Sequence, residues 1–347
     1  MHSKCVFTDL CSFCDDFFYN LCCLRSIKDQ KDFKKCIKIG LCPNLNLCQD
    51  AINGKLRRTM IFHKVIPNLK DIESFDYIVK YPFSGFKTRF IPRISVYGES
   101  SKRQIEIVKN LNLNCIIVSL KEMISNRDGE ILKEDFKVNL HEKFNYDGQI
   151  ILQTNIPDCF CMKIINNSDE YILALKCLRP DIITTFDANF YLDQPLFVSS
   201  IQMLNILKAN RFISEIDIPQ IFLLPPAPIP LFKSIFDVFI KSNHQSICIP
   251  CGEFKKSDQS YLLKIIRYIN HTRKIMDKNF ELLLISKNPD KSLFSDCYSS
   301  NSWTKIKKGN NGQNHSDKMQ SNLDRTIKKA NKIRLQKSLI SFIRRGV

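Results

Sequence analysis

The chain has 347 residues, of which 44% are apolar, so it can bury one large core or two smaller ones. It has only ten glycines, and neither GxGxxG nor GxxxxGK[ST] occurs, which argues against a dinucleotide or P-loop nucleotide site. The N-terminus lacks the apolar stretch of a secretory signal, and the longest apolar run, residues 216–232, contains five prolines and is too short to span a bilayer. We therefore expect a soluble cytoplasmic protein without a transmembrane segment, whose fifteen cysteines stay reduced.

Residues 1–60 form a Cys-rich N-terminal segment, with eight of the fifteen cysteines before residue 50. Within it, only Cys11 and Cys14 have the spacing that lets two thiolates bind one zinc ion on a tight turn. Cys248 and Cys251 repeat that spacing, but no second pair and no HxxxH phrase completes either site. Zinc at Cys11 and Cys14 is thus one hypothesis and buried reduced thiols are the other, and the cofactor content stays open.

Residues 61–297 alternate short apolar runs with helical patterns, which favours a mainly parallel sheet. Without a phosphate loop, six or seven such strands predict an α/β fold of the (β/α)8 TIM-barrel type, complete or incomplete. The charged stretch 125–145 is predicted to be an inserted loop. The predicted strands are 91–97, 114–119, 149–153, 181–186, 220–224, 246–249 and 281–285, and the predicted helices are 101–111, 169–178, 194–209, 231–241 and 257–277.

The phrase SDEYILALKCLRPDIITTFD predicts a helix that Ser168 caps and Pro180 stops, followed directly by a buried strand. That strand places Asp187 at its carboxyl end, where ligand-binding groups collect in parallel α/β proteins. Glu253, which follows the strand SICIP, is the second candidate for a pocket residue. The scattered histidines form no pair with ligand spacing and are interpreted as surface or hydrogen-bonded positions.

Residues 298–347 are predicted to be a polar linker and a basic helical tail. From Lys305 onward, twelve lysines and arginines stand against two aspartates, a net charge of +10. Such a helix fits a phosphate backbone, whereas the alternatives are a solvated tail or a helix that docks on the barrel through its apolar residues. The candidate RNA-binding residues are Lys328, Lys329, Lys332, Arg334, Lys337, Arg344 and Arg345.

The phrase from Ser168 to Asp187 resembles the segment of tRNA-guanine transglycosylases in which a helix on “SPEESIEIQ…LGADI” leads to a strand ending “AFDE”. The runs PQIFLLPPA, SICIPCGEF and KNFELLLISKNPDKSLF follow in the order of the family's “FGIVQGG”, “GYAIGGLSVGE” and “PRYLMGVGTPEDLI”. Upstream, IPRISVYG and NCIIVSLKEMI are more similar to the non-catalytic accessory subunit of queuine tRNA-ribosyltransferase. The resemblance covers residues 90 to 295 and implies a TIM barrel that acts in tRNA modification.

The chain departs from this family at the positions that carry the chemistry. Where active members have the Asp of “TDSGGFQ”, residues 153–155 are Gln-Thr-Asn, and Leu-Pro-Pro at 224–226 replaces the Gln of “VQGG”. After Leu293 neither the nucleophile strand nor the CxCxxC…His zinc motif is visible. Asp187 alone has a clear counterpart in the family's pocket.

Without a nucleophile, base exchange through a covalent ribosyl intermediate has no starting point, so catalysis by this chain alone is not expected. The resemblance implies a non-catalytic subunit that forms a heterodimer with a catalytic transglycosylase subunit and supports tRNA (queuine) base exchange. Two alternatives stay open: a divergent base-exchange or nucleoside-processing enzyme, and an unrelated TIM-barrel protein.

Overall fold

The computed structural model describes residues 71–72, 74–125, 130–156, 167–186, 196–225, 227, 229–254, 259–276, 279–290, 295–305 and 315–345. Within these ranges, the side chains of residues 196–198, 201, 229–230, 253 and 334–345 are not described. The predicted N-terminal segment, with Cys11 and Cys14, lies outside the described residues. None of the described helices is both long enough and apolar enough to cross a bilayer.

Eight parallel strands form one sheet in the order β1-β8-β7-β6-β5-β4-β3-β2. A parallel bridge between Arg93 and Ile117, with a 3.0 Å hydrogen bond from Ile94 N to Ile117 O, joins β1 to β2 and closes the sheet into a barrel. The predicted TIM-barrel-like α/β fold is therefore confirmed. The strands are β1 (Phe90–Pro92), β2 (Cys115–Ser119), β3 (Gln149–Gln153), β4 (Ile182–Thr184), β5 (Gln220–Leu223), β6 (Ser246–Pro250), β7 (Glu281–Ile285) and β8 (Cys297–Ser300).

Helices alternate with these strands along most of the barrel, as the sequence predicts. The helix that begins at Ser168 follows Asn167 in the N-cap position, so Ser168 is its first residue and the predicted Ser168 cap is wrong. The stretch predicted as an inserted loop contains a short helix, α2, which Asn139 caps by accepting a hydrogen bond from His141 N. The helices are α1 (Gly98–Asn110), α2 (Leu140–Phe144), α3 (Ser168–Leu178), α4 (Leu196–Ile213), α5 (Ile229–Lys241), α6 (Gln259–Ile275) and α7 (His315–Arg345).

Strand β8 is the one strand of the barrel that the sequence pattern did not predict. It pairs with both β7 and β1, and the buried Trp303 follows it in a short 3-10 turn. The barrel therefore extends past the predicted boundary at residue 297. The sequence of β8 is CYSS. Because two of its four residues are serines, it lacks the apolar run that indicates a buried strand, although all four residues are buried.

The strands are apolar on both faces because each face is buried, as expected for a parallel barrel. Outward-facing side chains pack against the helices in one large cluster that includes Leu152, Phe222 and Ile247. A second cluster fills the barrel interior and consists of Phe83, Ile91, Ile117, Ile151, Ile182, Ile221, Leu223, Cys248, Leu283, Ile285 and Cys297.

The C-terminal helix α7 is part of the barrel's outer layer. Its buried residues Met319, Leu323, Ala330 and Ile333 recur at helical spacing, and Ile327 packs beside them. The helix lies against β1, α1 and the turn Ser302–Thr304, where Asn322 Nδ2 donates a 3.5 Å hydrogen bond to the Trp303 carbonyl. Docking on the barrel, which the sequence leaves as an alternative to RNA contact, is thus observed for residues 319–333.

Candidate binding site at the barrel mouth

The carboxyl ends of the strands form the mouth of the barrel, the end at which ligands bind in this architecture. Polar side chains follow or end three neighbouring strands there: Arg93 after β1, Ser119 in β2 and Gln153 in β3. Each is in register with an inward-facing residue or lies two positions beyond one, so all three belong to the inner face of the barrel. The mouth is therefore polar at the ends of these three strands, whereas the layer below them is apolar.

Arg93 carries the positive charge of this inner face. Its side chain is half-buried, and its Nη1 donates a 2.9 Å hydrogen bond to Ser286 Oγ, at the end of β7. Burial lowers the pKa of Arg93 from its ordinary value, and the charge of Glu122 opposes that effect. Glu122 accepts a hydrogen bond from Val96 N and, among the described residues, no carboxylate lies within 4.0 Å of the Arg93 guanidinium.

The partner of Arg93 sits in an unusual backbone conformation. Ser286 has φ 62°, in the left-handed region that a residue with a side chain rarely adopts. A Cβ atom on Gly252, at the end of β6, would lie 3.2 Å from Ser286 Cβ, so the close approach of the two strand ends favours glycine there. Backbone strain of this kind often marks functional sites, and here the strained residue carries the hydroxyl that Arg93 contacts.

Two buried oxygens of the inner face have no hydrogen-bond partner among the described residues. They are Gln153 Oε1, on a side chain that is 3% exposed, and Ser299 Oγ, on one that is fully buried. Beside Gln153, Ser119 Oγ donates a 2.7 Å hydrogen bond to Asn155 Oδ1. An unpartnered buried polar group costs free energy, so each such oxygen calls for an explanation.

The ends of β3 and β4 are held together by a hydroxyl network. Thr154 Oγ1 lies 2.9 Å from Thr184 Oγ1 and 2.7 Å from the Thr185 carbonyl, and Thr154 N donates to Thr184 Oγ1 at 3.0 Å. Thr185 Oγ1 in turn accepts a hydrogen bond from Leu223 N in β5 at 2.8 Å. These buried contacts give the mouth a rigid rim on the side of Gln153.

The side chains of the two predicted pocket residues, Asp187 and Glu253, are not described. Asp187 lies outside the described residues, which stop at Phe186, two residues past the end of β4. Glu253 ends the 3-10 turn Cys251–Glu253 directly after β6, so its backbone is at the mouth, but its side chain is not described. Their roles in a pocket stay predictions.

The second cysteine pair does not face one ligand. Cys248 belongs to the cluster inside the barrel, whereas Cys251 belongs to the cluster between sheet and helices. Among the described residues, no group of three or more His, Cys, Asp or Glu side chains could hold a metal ion. The zinc hypothesis at Cys11 and Cys14 concerns residues outside the description.

Three of the seven predicted RNA-binding side chains are described. Lys328, Lys329 and Lys332 are exposed on α7, and Lys328 Nζ forms a 2.6 Å ion pair with Asp324. Arg334, Lys337, Arg344 and Arg345 belong to the same helix, but their side chains are not described.

The sequence reading overlooked Arg93 and Ser286. Arg93 stands in the run IPRISVYG, where a cation directly after a buried strand is a signal that could have been used. Ser286 gives no such signal, because the sequence does not show that a serine adopts a left-handed conformation.

Comparison with known proteins adds the following findings. No protein-family model matches the chain, and no curated protein matches it. Among solved structures, one described as “Native KDPGal structure” aligns with 72% of this chain and 98% of its own length, at 10% sequence identity and a TM-score of 0.39. The barrel assignment rests on the strand pairing within this chain.

Proposed function

We propose that the protein is a non-catalytic RNA-binding barrel subunit that helps to hold tRNA for a catalytic partner. The observation that carries the proposal is the arrangement of α7, which docks one face on the barrel and turns a basic face to solvent. The resemblance to the accessory subunit of queuine tRNA-ribosyltransferase supports tRNA as the RNA and a catalytic transglycosylase as the partner.

The docked and the basic residues of α7 lie on different sides of the helix. Buried Met319, Leu323, Ala330 and Ile333 define the docked side. On an α-helix, the exposed cations fall in an arc of about 100° on the opposite side. They are Arg325, Lys328, Lys329 and Lys332.

Most of this basic face is available to an external anion. Lys328 is paired with Asp324, but among the described residues no carboxylate lies within 4.0 Å of Arg325, Lys329 or Lys332. The docked face fixes the helix, so these cations need not order a flexible tail before they meet a phosphate backbone. The net charge of +17 of the whole chain adds a long-range attraction for RNA.

The RNA contact is tested by changing Arg325, Lys329 and Lys332 to Gln and measuring tRNA affinity at several salt concentrations. The slope of log affinity against log salt should become shallower by about 2 to 3, and affinity at about 0.1 M salt should fall roughly a hundredfold. The matched control changes Lys208, Arg211 and Lys233 to Gln, which removes the same charge from exposed positions on α4 and α5. Equal losses in both triple variants would reduce the effect to net charge and contradict a docking role for α7.

The partner requirement is tested by base exchange. Labelled guanine or queuine incubated with tRNA and this protein alone should stay unincorporated, because the family's nucleophile and base-reading residues have no counterparts here. A catalytic transglycosylase paralogue should copurify with the protein from its source cell. Incorporation by the protein alone that Asp187→Asn abolishes would favour the enzyme alternative instead.

A further inference from the structure

The barrel mouth contains a positive charge that no described carboxylate balances at ion-pair distance. Among the arginines whose side chains are described, the two others that are half-buried, Arg89 and Arg273, both contact Asp296, at 3.8 and 2.8 Å. Arg93 has only the neutral Ser286 hydroxyl, at 2.9 Å, and most of its N–H donors make no hydrogen bond to a described residue. A half-buried guanidinium without a carboxylate at ion-pair distance is more costly than its paired counterparts, and the more distant charge of Glu122 offsets this cost only in part.

The groups around Arg93 form a cradle from several strand ends. Ser286 and Gly252 approach each other at the ends of β7 and β6, and Gly252 is exposed, so the cradle is open to solvent on that side. The backbone N–H of Arg93 donates a 3.2 Å hydrogen bond to the Ser300 carbonyl at the end of β8. In barrels of this type, the loops after the seventh and eighth strands frequently bind a phosphate group.

Two buried oxygens that have no hydrogen-bond partner among the described residues lie on the same inner face. Ser299 Oγ, two positions after the inward Cys297, can donate to an anion, and Gln153 Oε1 can accept from a ligand hydroxyl or N–H group. The mouth therefore presents donors for an oxyanion beside an acceptor for a neutral polar group. That combination matches a phosphate ester of a small hydroxylated molecule.

We propose that the barrel mouth binds the phosphate group of a small phosphorylated ligand, with Arg93 and Ser286 as its principal contacts. Arg93 supplies charge-assisted hydrogen bonds from its unused N–H groups, and Ser286 supplies a hydroxyl. Gln153 contacts the organic part of the ligand. The site is separate from the basic face of α7, so it stands or falls independently of the RNA-binding role.

The test measures binding of inorganic phosphate and of glycerol 3-phosphate to the full chain by equilibrium dialysis, with glycerol as the neutral probe. Both phosphates should bind and glycerol should not. Because hydrogen bonds to a charged group are strong, Arg93→Gln should weaken phosphate binding by about tenfold or more, and Ser286→Ala should weaken it by less. Arg211→Gln, which removes an exposed arginine at the end of α4, should leave binding unchanged.

Arg93 could instead serve only to hold β1 against β7. To separate the two roles, the midpoint of thermal unfolding is measured with and without phosphate for each variant. Binding predicts that phosphate raises the midpoint of the wild type and of Arg211→Gln but not that of Arg93→Gln. No binding by the wild type, or equal phosphate effects in wild type and Arg93→Gln, would overturn the proposal.

Discussion

At the scale of single residues, His244 shows how burial decides the chemistry of a side chain. It is 6% exposed and surrounded by the rings of Tyr77, Phe222 and Phe239. Ser242 Oγ donates to the Phe239 carbonyl at 3.0 Å and lies 2.7 Å from His244 Nδ1, so we assign the Nδ1–H tautomer, with Ser242 accepting. Nε2 is then a buried lone pair without a described partner, and His244 is a core residue.

Burial lowers the pKa of His244 from 6.5 to about 3, because a proton on Nε2 would place an unsolvated charge among aromatic rings. Between these values the unfolded chain binds a proton that the folded protein does not, so stability falls as the pH falls. The slope is about 1.4 kcal/mol per pH unit, or about 2 kcal/mol between pH 7 and pH 5. In urea unfolding, His244→Phe should lose this part of the pH dependence.

The control for that experiment is His271→Phe, which removes an exposed imidazole from α6. Its stability should fall with pH as steeply as that of the wild type, because the variant leaves His244 and the rings around it unchanged. The same pH dependence in the wild type and in His244→Phe would show that the buried imidazole does not set the slope.

At the scale of elements, residues 82–86 lie across part of the end of the barrel opposite the mouth. Phe83 lies in the interior cluster, and the Glu281 carboxylate accepts hydrogen bonds from Gly85 N at 2.7 Å and Phe86 N at 3.1 Å. Gly85 has φ 92°, which glycine adopts without strain. Glu281 begins β7, so the first residue of an apolar strand holds the segment that places Phe83 in the barrel interior.

Periodicity predicts the elements whose apolar runs are continuous and misses those built from small or polar residues. Strands are easily predicted for CIIVS, QIILQ and ELLLI, because both faces of each strand are buried and the apolar run is nearly continuous. CYSS does not, and only its pairing with β1 and β7 makes it a strand. The position of residues 82–86 is equally hard to predict from the sequence. Its proline, glycine and two phenylalanines show no periodicity, and the segment is held in place by hydrogen bonds to Glu281, which is distant in sequence.

At the scale of the whole molecule, strand–helix order is enough to predict a barrel, and with it the end at which ligands bind. It does not predict which side chains meet at that mouth. Arg93 and Ser286 are 193 residues apart in sequence. They become neighbours because β8 pairs with both β1 and β7 and brings the ends of these two strands together. The polar linker and the cluster of cations also suggest a separate basic tail. In the structure, however, α7 buries one face in the same core as the strands.

Because α7 shares one core with the strands, we predict a single cooperative unfolding transition for the barrel and α7. Trp303, the only tryptophan of the chain, is 1% exposed between β8 and α7 and reports on their packing by fluorescence. Leu323 is fully buried on α7, so Leu323→Ala should lower the free energy of unfolding by about 2 to 5 kcal/mol. Because the helix and the strands share one core, tryptophan fluorescence and far-ultraviolet circular dichroism should shift together in urea. The control is Leu173→Ala, at a position on α3 that is 64% exposed, where the change should stay within about 0.5 kcal/mol. A fluorescence transition that precedes the loss of circular dichroism would instead make α7 a separately unfolding appendage.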